Sequence, residues 1–164
     1  MIVISDSSPL ITLSRARQLD LFYGQVTIPR EVYQEVTVAG AGLPGGEEVR
    51  RAPWIRVQPD PSDAPAILKA ACSGLGAGER SAIYLAVNLA AEMVLIDDAK
   101  ARRAAKSAGM SVAGSIAVLE LGARLKKVAD LRSVYLSLLD QGIRFDHKPL
   151  EESLGRLGLA RLKP

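Results

Sequence analysis

Two aliphatic, β-branched runs in this chain end in carboxylates. Met1-Ile2-Val3-Ile4-Ser5 leads directly into Asp6, and Met93-Val94-Leu95-Ile96 leads into Asp97-Asp98. Short uninterrupted apolar runs read as strands buried on both faces of a parallel sheet. In open parallel sheets, ligands bind beyond the carboxyl ends of the strands. The three aspartates therefore stand where chemistry is usually done. Carboxylates gathered at one site resist ionising together, and a divalent cation offsets that repulsion. All-oxygen ligation suits Mg²⁺ or Mn²⁺ better than Zn²⁺. A structural role stays open for each of them, because Asp after a strand commonly caps the next helix.

Two glutamates join them as candidates. Glu79, in Gly-Ala-Gly-Glu-Arg-Ser-Ala-Ile, opens a helix that feeds the Met93 run. An acid there also complements the helix dipole. Glu35 lies in Pro-Arg-Glu-Val-Tyr-Gln-Glu-Val, with Glu31 one turn earlier; either is equally an exposed helix charge.

Other chemistries lack their residues. The single cysteine, Cys72, excludes an internal disulfide and a Cys-based zinc site within one chain. The single histidine, His147, lies in a polar stretch and anchors no Ser-His-Asp or Cys-His arrangement. Gly74-Leu75-Gly76-Ala77-Gly78 follows no predicted strand and has no Lys-Ser/Thr ending, so it is not a phosphate loop. A dehalogenase-type phosphatase needs a second Asp two residues after Asp6, where Ser8 stands. A receiver-like module needs its paired acids after the first strand, and here they follow a later one.

The elements that must position these residues alternate between strand and helix. After Asp6, Ser7-Ser8-Pro9 is a helix start, and Gln18 to Phe22 reads as a short helical turn. Val26-Thr27-Ile28 is a second strand ended by Pro29, followed by a helix over 30–38. Residues 39–46, rich in Gly, form an exposed loop, and 54–57 alternates like an edge strand. Helices are predicted over 63–72 and 78–92, the latter with Ala82, Ile83, Ala86, Val87 and Ala90 inward. The Met93 strand, a basic helix over 100–108, a brief strand at 110–112 and a helix over 114–125 follow. Two amphipathic helices, at 131–139 and 149–157, close the chain. This order implies an α/β fold, a three-layer α/β/α sandwich with a central, mainly parallel sheet. At 164 residues, 48% of them apolar and only 4% aromatic, it is one domain with an aliphatic core. We place that domain at 1–140, with 141–164 as a C-terminal helical extension packed on it.

Charge is divided unevenly along the chain. Residues 1–98 hold 8 Lys/Arg and 12 Asp/Glu, whereas residues 99–164 hold 13 Lys/Arg and 6 Asp/Glu. A basic half beside an acidic site suits a polyanion cut with the help of a cation, although solvated helix faces give the same pattern. No run approaches the ~20 apolar residues of a membrane span, and the N-terminus lacks a signal-peptide pattern. The expectation is a cytoplasmic protein with no membrane contact.

Taken in order, five segments carry a resemblance. Ile-Ser-Asp-Ser-Ser-Pro-Leu-Ile, Ile-Pro-Arg-Glu-Val-Tyr-Gln-Glu-Val, Gly-Ala-Gly-Glu-Arg-Ser-Ala-Ile, Val-Leu-Ile-Asp-Asp-Ala-Lys-Ala-Arg and Gly-Met-Ser-Val-Ala-Gly-Ser-Ile-Ala-Val-Leu resemble the PIN-like family. The likeness is to its prokaryotic branch of unknown function, grouped with toxin ribonucleases of type II toxin–antitoxin pairs, and it runs from about Ile2 to Leu139. It implies a metal-dependent endoribonuclease with an acidic quartet: Asp6, Glu35, Glu79 and one of Asp97 or Asp98. Alignment by strand end favours Asp98, making Asp6, Glu79 and Asp98 the expected ligands of Mg²⁺ or Mn²⁺. Ser8, Arg80, Lys100, Arg102, Arg103 and Ser115 are the expected RNA contacts, with Lys106 a further candidate. An antitoxin partner and a homodimer are implied in the same way. The alternative is a non-catalytic module of the same fold that binds RNA or protein.

Overall fold

The computed structural model describes residues 1–22 and 26–163. Among these, five strands form one sheet: β1 (Val3–Ser5), β2 (Val26–Pro29), β3 (Arg56–Gln58), β4 (Met93–Leu95) and β5 (Val112–Ala113). Their order is β3-β2-β1-β4-β5 and all the pairings are parallel. β1 is central, with Val3 opposite both Val26 and Met93. All three of its residues are buried, as its apolar sequence requires. The chain first builds outward from β1 to β2 and β3, then returns on the other side with β4 and β5. Such a reversal opens a crevice beyond the ends of the two strands at which it occurs, here β1 and β4. The Asp6 amide donates to the Leu95 carbonyl at 3.0 Å and fastens those ends together.

The helices are α1 (Ser7–Arg15), α2 (Arg30–Gln34), α3 (Gly46–Arg50), α4 (Ala66–Ala71), α5 (Ala77–Asn88), α6 (Ala99–Ser107), α7 (Ser115–Arg124), α8 (Leu131–Asp140) and α9 (His147–Arg156). α5 lies against β1, β2 and β4 and touches α2 and α6, while α1 touches α3 and α7, and α7 in turn carries α8 and α9. The result is the α/β/α sandwich that the alternation predicts. Ile4, Leu10, Ile28, Ile83, Ile96 and Leu119 are each 0% exposed. Burying each aliphatic side chain of this size contributes about 1.5–3 kcal/mol. Cys72 is also fully buried, and burial pushes its thiol up, so it packs as a small hydrophobe. No helix among the described residues is long and apolar enough to cross a membrane.

Three elements differ from the periodicity reading. The helix predicted over 30–38 is regular only to Gln34; Glu35–Ala39 widens into a π turn, a feature often found at functional sites. The predicted loop ends in a short helix, α3, with Gly46 and Val49 buried. α5 stops at Asn88, four residues early, because Ala90 takes a left-handed φ of +47°. Ala82, Ile83 and Ala86 face inward as predicted, but Val87 and Ala90 are exposed and Leu85 is buried instead.

The C-terminal helix is fastened by a charged clamp. Glu120 on α7, 8% exposed, accepts from Arg156 Nη2 at 2.8 Å and Nε at 3.1 Å, and from Arg124 Nη2 at 2.9 Å. The Arg156 hydrogen bonds chiefly hold the Glu120 carboxyl down at about 2. Beside it the buried Tyr135 hydroxyl on α8 and Ser153 hydroxyl on α9 are 2.8 Å apart. A depressed carboxyl stabilises the fold above its unfolded value of 4.5 and loses that contribution as pH falls toward 2. Glu120→Gln should therefore lower the melting temperature near neutral pH by roughly 2–6 °C, because both arginines are half exposed and screened. Thermal melts at pH 7 and pH 3 check this: the deficit should shrink at the lower pH, and an unchanged deficit would show that charge is not its source.

Candidate active site

Asp6 sits at the mouth of the crevice, 3% exposed. It occupies the position ahead of α1 but makes no side-chain cap bond, so the structural role open to it in sequence is not the one it takes. Its carboxyl is pushed up to about 7. Burial is the main cause; the Ser7 amide opposes it, and the charges of Glu79, Glu35 and Asp97 add to it. Four acids from four separate segments thus share one electrostatic neighbourhood.

Each of the other three is held by a specific donor. Glu35, at the start of the π turn, accepts from Ser7 Oγ at 2.5 Å and from the Gly78 amide at 2.9 Å. These bonds tie the second strand's helix to α1 and to the first turn of α5. Gly78 must be glycine for this approach: a Cβ there would lie 2.2 Å from Glu35 Oε2 and 2.7 Å from its Cδ. Glu79 Oε2 reaches back to accept from the Gly76 amide at 2.9 Å, satisfying a free donor at the start of α5. Asp97 accepts from the Ser115 amide at 2.7 Å and from Ser115 Oγ at 2.5 Å. Gly114 keeps this contact open, since a Cβ there would stand 2.9 Å from Asp97 Oδ1.

Asp98 is placed differently from the strand-end alignment. Its side chain accepts from the Ala101 amide at 2.8 Å, capping α6, and the residue is exposed. Of the pair, Asp97 is the one near Asp6. Ser115 also departs from the expected RNA contact, because it is fully buried and its hydroxyl orients Asp97. Ser8 and Arg102 border a groove on the Asp97 side. Arg80 is exposed and donates to the Leu75 carbonyl at 2.8 Å. Lys100, Arg103 and Lys106 are exposed on α6. Ser7, Gly78 and Gly114 are the residues that sequence reasoning passed over. Glycine inside a helix's first turn, where it weakens the helix, is the signal that could have found the second of them.

The donor set fits a hard divalent cation in its chemistry. Asp6, Glu35, Glu79 and Asp97 offer only carboxylate oxygens, and their mutual repulsion favours a compensating positive charge. Among the described residues, no three of these acids stand in ready ligand geometry. Their hydrogen bonds do not exclude ligation, because each carboxylate oxygen has a second lone pair.

An all-parallel five-stranded sheet with four acids near its switch point defines an α/β protein with a candidate site for a hard divalent cation. A family model for the PIN domain, the branch of unknown function designated DUF3368, matches residues 2–159. The chain belongs to that PIN domain family, and the match continues through α9. Neither a curated protein nor a solved structure gives a significant match.

Proposed function

We propose that the chain is a Mg²⁺- or Mn²⁺-dependent endoribonuclease whose site is Asp6, Glu35, Glu79 and Asp97. The observation that carries this is the convergence of three carboxylates on a fourth, the buried Asp6, whose mutual repulsion a divalent cation would relieve. Asp6, Glu79 and Asp97 are the residues that would hold the ion. Glu35, which Ser7 and Gly78 hold, would accept a proton from the attacking water. A divalent cation held there would supply positive charge and Lewis acidity at the scissile phosphate. Ser115 holds Asp97 by its amide and hydroxyl, and Asp98 caps α6 from outside the quartet.

Membership of the family supports RNA as the substrate. It also supports the narrower reading of a cytoplasmic toxin with a small antitoxin as partner and a homodimer as its working form. The non-catalytic alternative, an RNA- or protein-binding module, draws on the lack of a ready ligand cage among the described residues. The two readings separate in a cleavage assay. Single-stranded RNA should be cut internally with Mg²⁺ or Mn²⁺, and not in their absence. Glu79→Gln should slow cutting by roughly 10²-fold. Cleavage that persists undiminished in chelator, or in Glu79→Gln, would remove the acidic site from the chemistry.

A further inference from the structure

Beside Asp97 lies a groove of about 870 Å³ that the four acids leave unexplained. It runs between α1, the starts of α6 and α7, and the segment that leads into α9. Ile11, Ile116 and Ile143 give it apolar walls. Phe145 is the one aromatic side chain among the described residues lining it, in a chain with only two Phe, one Trp and four Tyr. It is partly buried and packs its inner part against the core, which holds it in place.

Cations stand along the same groove. Arg144 is exposed beside Phe145. Arg15 borders it, and its Nε is buried with no hydrogen-bond partner among the described residues. Arg102 Nη1 donates to the Ile96 carbonyl at 3.2 Å, which keeps the guanidinium at the strand end that carries Asp97. Two other charges of the lining are matched within the protein: Glu152 is 3.9 Å from Lys148, and Arg156 is bound to Glu120. What remains is Arg15, Arg102 and Arg144 beside Asp97, Asp98 and Asp146.

A flat ring, aliphatic walls and cations opening onto a phosphate-cutting centre match the parts of a nucleotide. A nucleotide offers both a ring to stack on Phe145 and a phosphate to pair with the exposed Arg144, which an apolar helix from a protein partner does not. We propose that this groove takes the nucleotide adjoining the scissile phosphate, with its base on Phe145 and its phosphate at Arg102 and Arg144. Phe145 is then a specificity-determining residue, since stacking against a fixed ring distinguishes bases by the extent of their π surface. The link to cleavage rests on the nuclease reading above, but the binding does not.

The test separates the two. A fluorescein-labelled single-stranded RNA is titrated onto full-length Asp6→Asn, so that no cutting interferes. Adding Phe145→Ala should weaken binding roughly ten-fold, while Phe145→Tyr should leave it within about two-fold because the ring remains. Arg144→Ala, at an exposed position that does not threaten folding, should weaken it roughly three- to ten-fold and flatten its salt dependence. In the cleaving protein, Phe145→Ala should also change the base preference next to the cut. Unchanged affinity and preference in Phe145→Ala and Arg144→Ala, with cutting intact, would overturn the groove and spare the nuclease. Binding that depends on Phe145, with no cutting under any metal, would spare the groove and overturn the nuclease.

Discussion

Asp6→Asn should abolish measurable cleavage while making the metal-free protein more stable. The first half follows from the site: Asp6 is the buried centre on which Glu35, Glu79 and Asp97 bear. Its loss should lower the rate by roughly 10²–10³-fold or more. The second half follows from the proton. A carboxyl raised from 3.8 to about 7 stabilises the fold while it is protonated, fully so below 3.8. That contribution disappears as pH rises through about 7. The difference corresponds to roughly 4 kcal/mol as an upper bound. Asparagine, of the same shape and without charge, avoids this cost. At pH 8 the variant should therefore melt several degrees above the parent, at about 2–4 °C per kcal/mol for a domain of this size. At pH 4 the two should melt together. Saturating Mg²⁺ should raise the parent and leave Asp6→Asn nearly unmoved. A variant less stable than the parent at every pH would mean that Asp6 serves the fold and not the site.

Gly78→Ala should separate activity from stability in a second way. The added methyl would overlap Glu35, 2.2 Å from Oε2 and 2.7 Å from both Oε1 and Cδ. Those atoms end a flexible side chain, so Glu35 would swing away at little structural cost. Alanine also favours a helix over glycine by up to about 1 kcal/mol, so the melting temperature should hold or rise slightly. Turnover should fall at least about ten-fold, as far as it falls in Glu35→Gln. In Gly78→Ala combined with Glu35→Gln, the two losses should not add, because both remove one group from one place. Additive losses would show that Gly78 acts through something other than Glu35.

The fold was legible in sequence wherever apolar period and length agreed. Met93 to Ile96 has no other reading than a buried strand, and Asp6 follows a run too short and too β-branched for a helix. Asp97 and Asp98 show where that legibility stops. Strand ends are uncertain by a residue or two. What decides between the two aspartates is a partner 18 residues away, Ser115. Asp98 did carry a local sign, since an Asp three residues before an unbonded helix amide is a cap in waiting. Ala90 carried none: helices usually close on glycine or asparagine in the left-handed region, so an alanine there hides the end of α5. The π turn at Glu35 is similarly silent, because its residues read as an ordinary helix. The groove at Phe145 depends on how α9 packs onto α7, which no local pattern encodes.

The position of β1 in the sheet has a consequence for the order of events during synthesis. It is made well before one of its two neighbours, β4, which begins at Met93, and Asp97 is not anchored until Ser115 has emerged. Contacts so distant in sequence form late, after the chain between them has been ordered. A nascent chain from which Ser115 has not yet emerged thus carries Asp6, Glu35 and Glu79 without the serine that completes their arrangement. The proposed cleavage activity would accordingly stay off until Ser115 has left the ribosome.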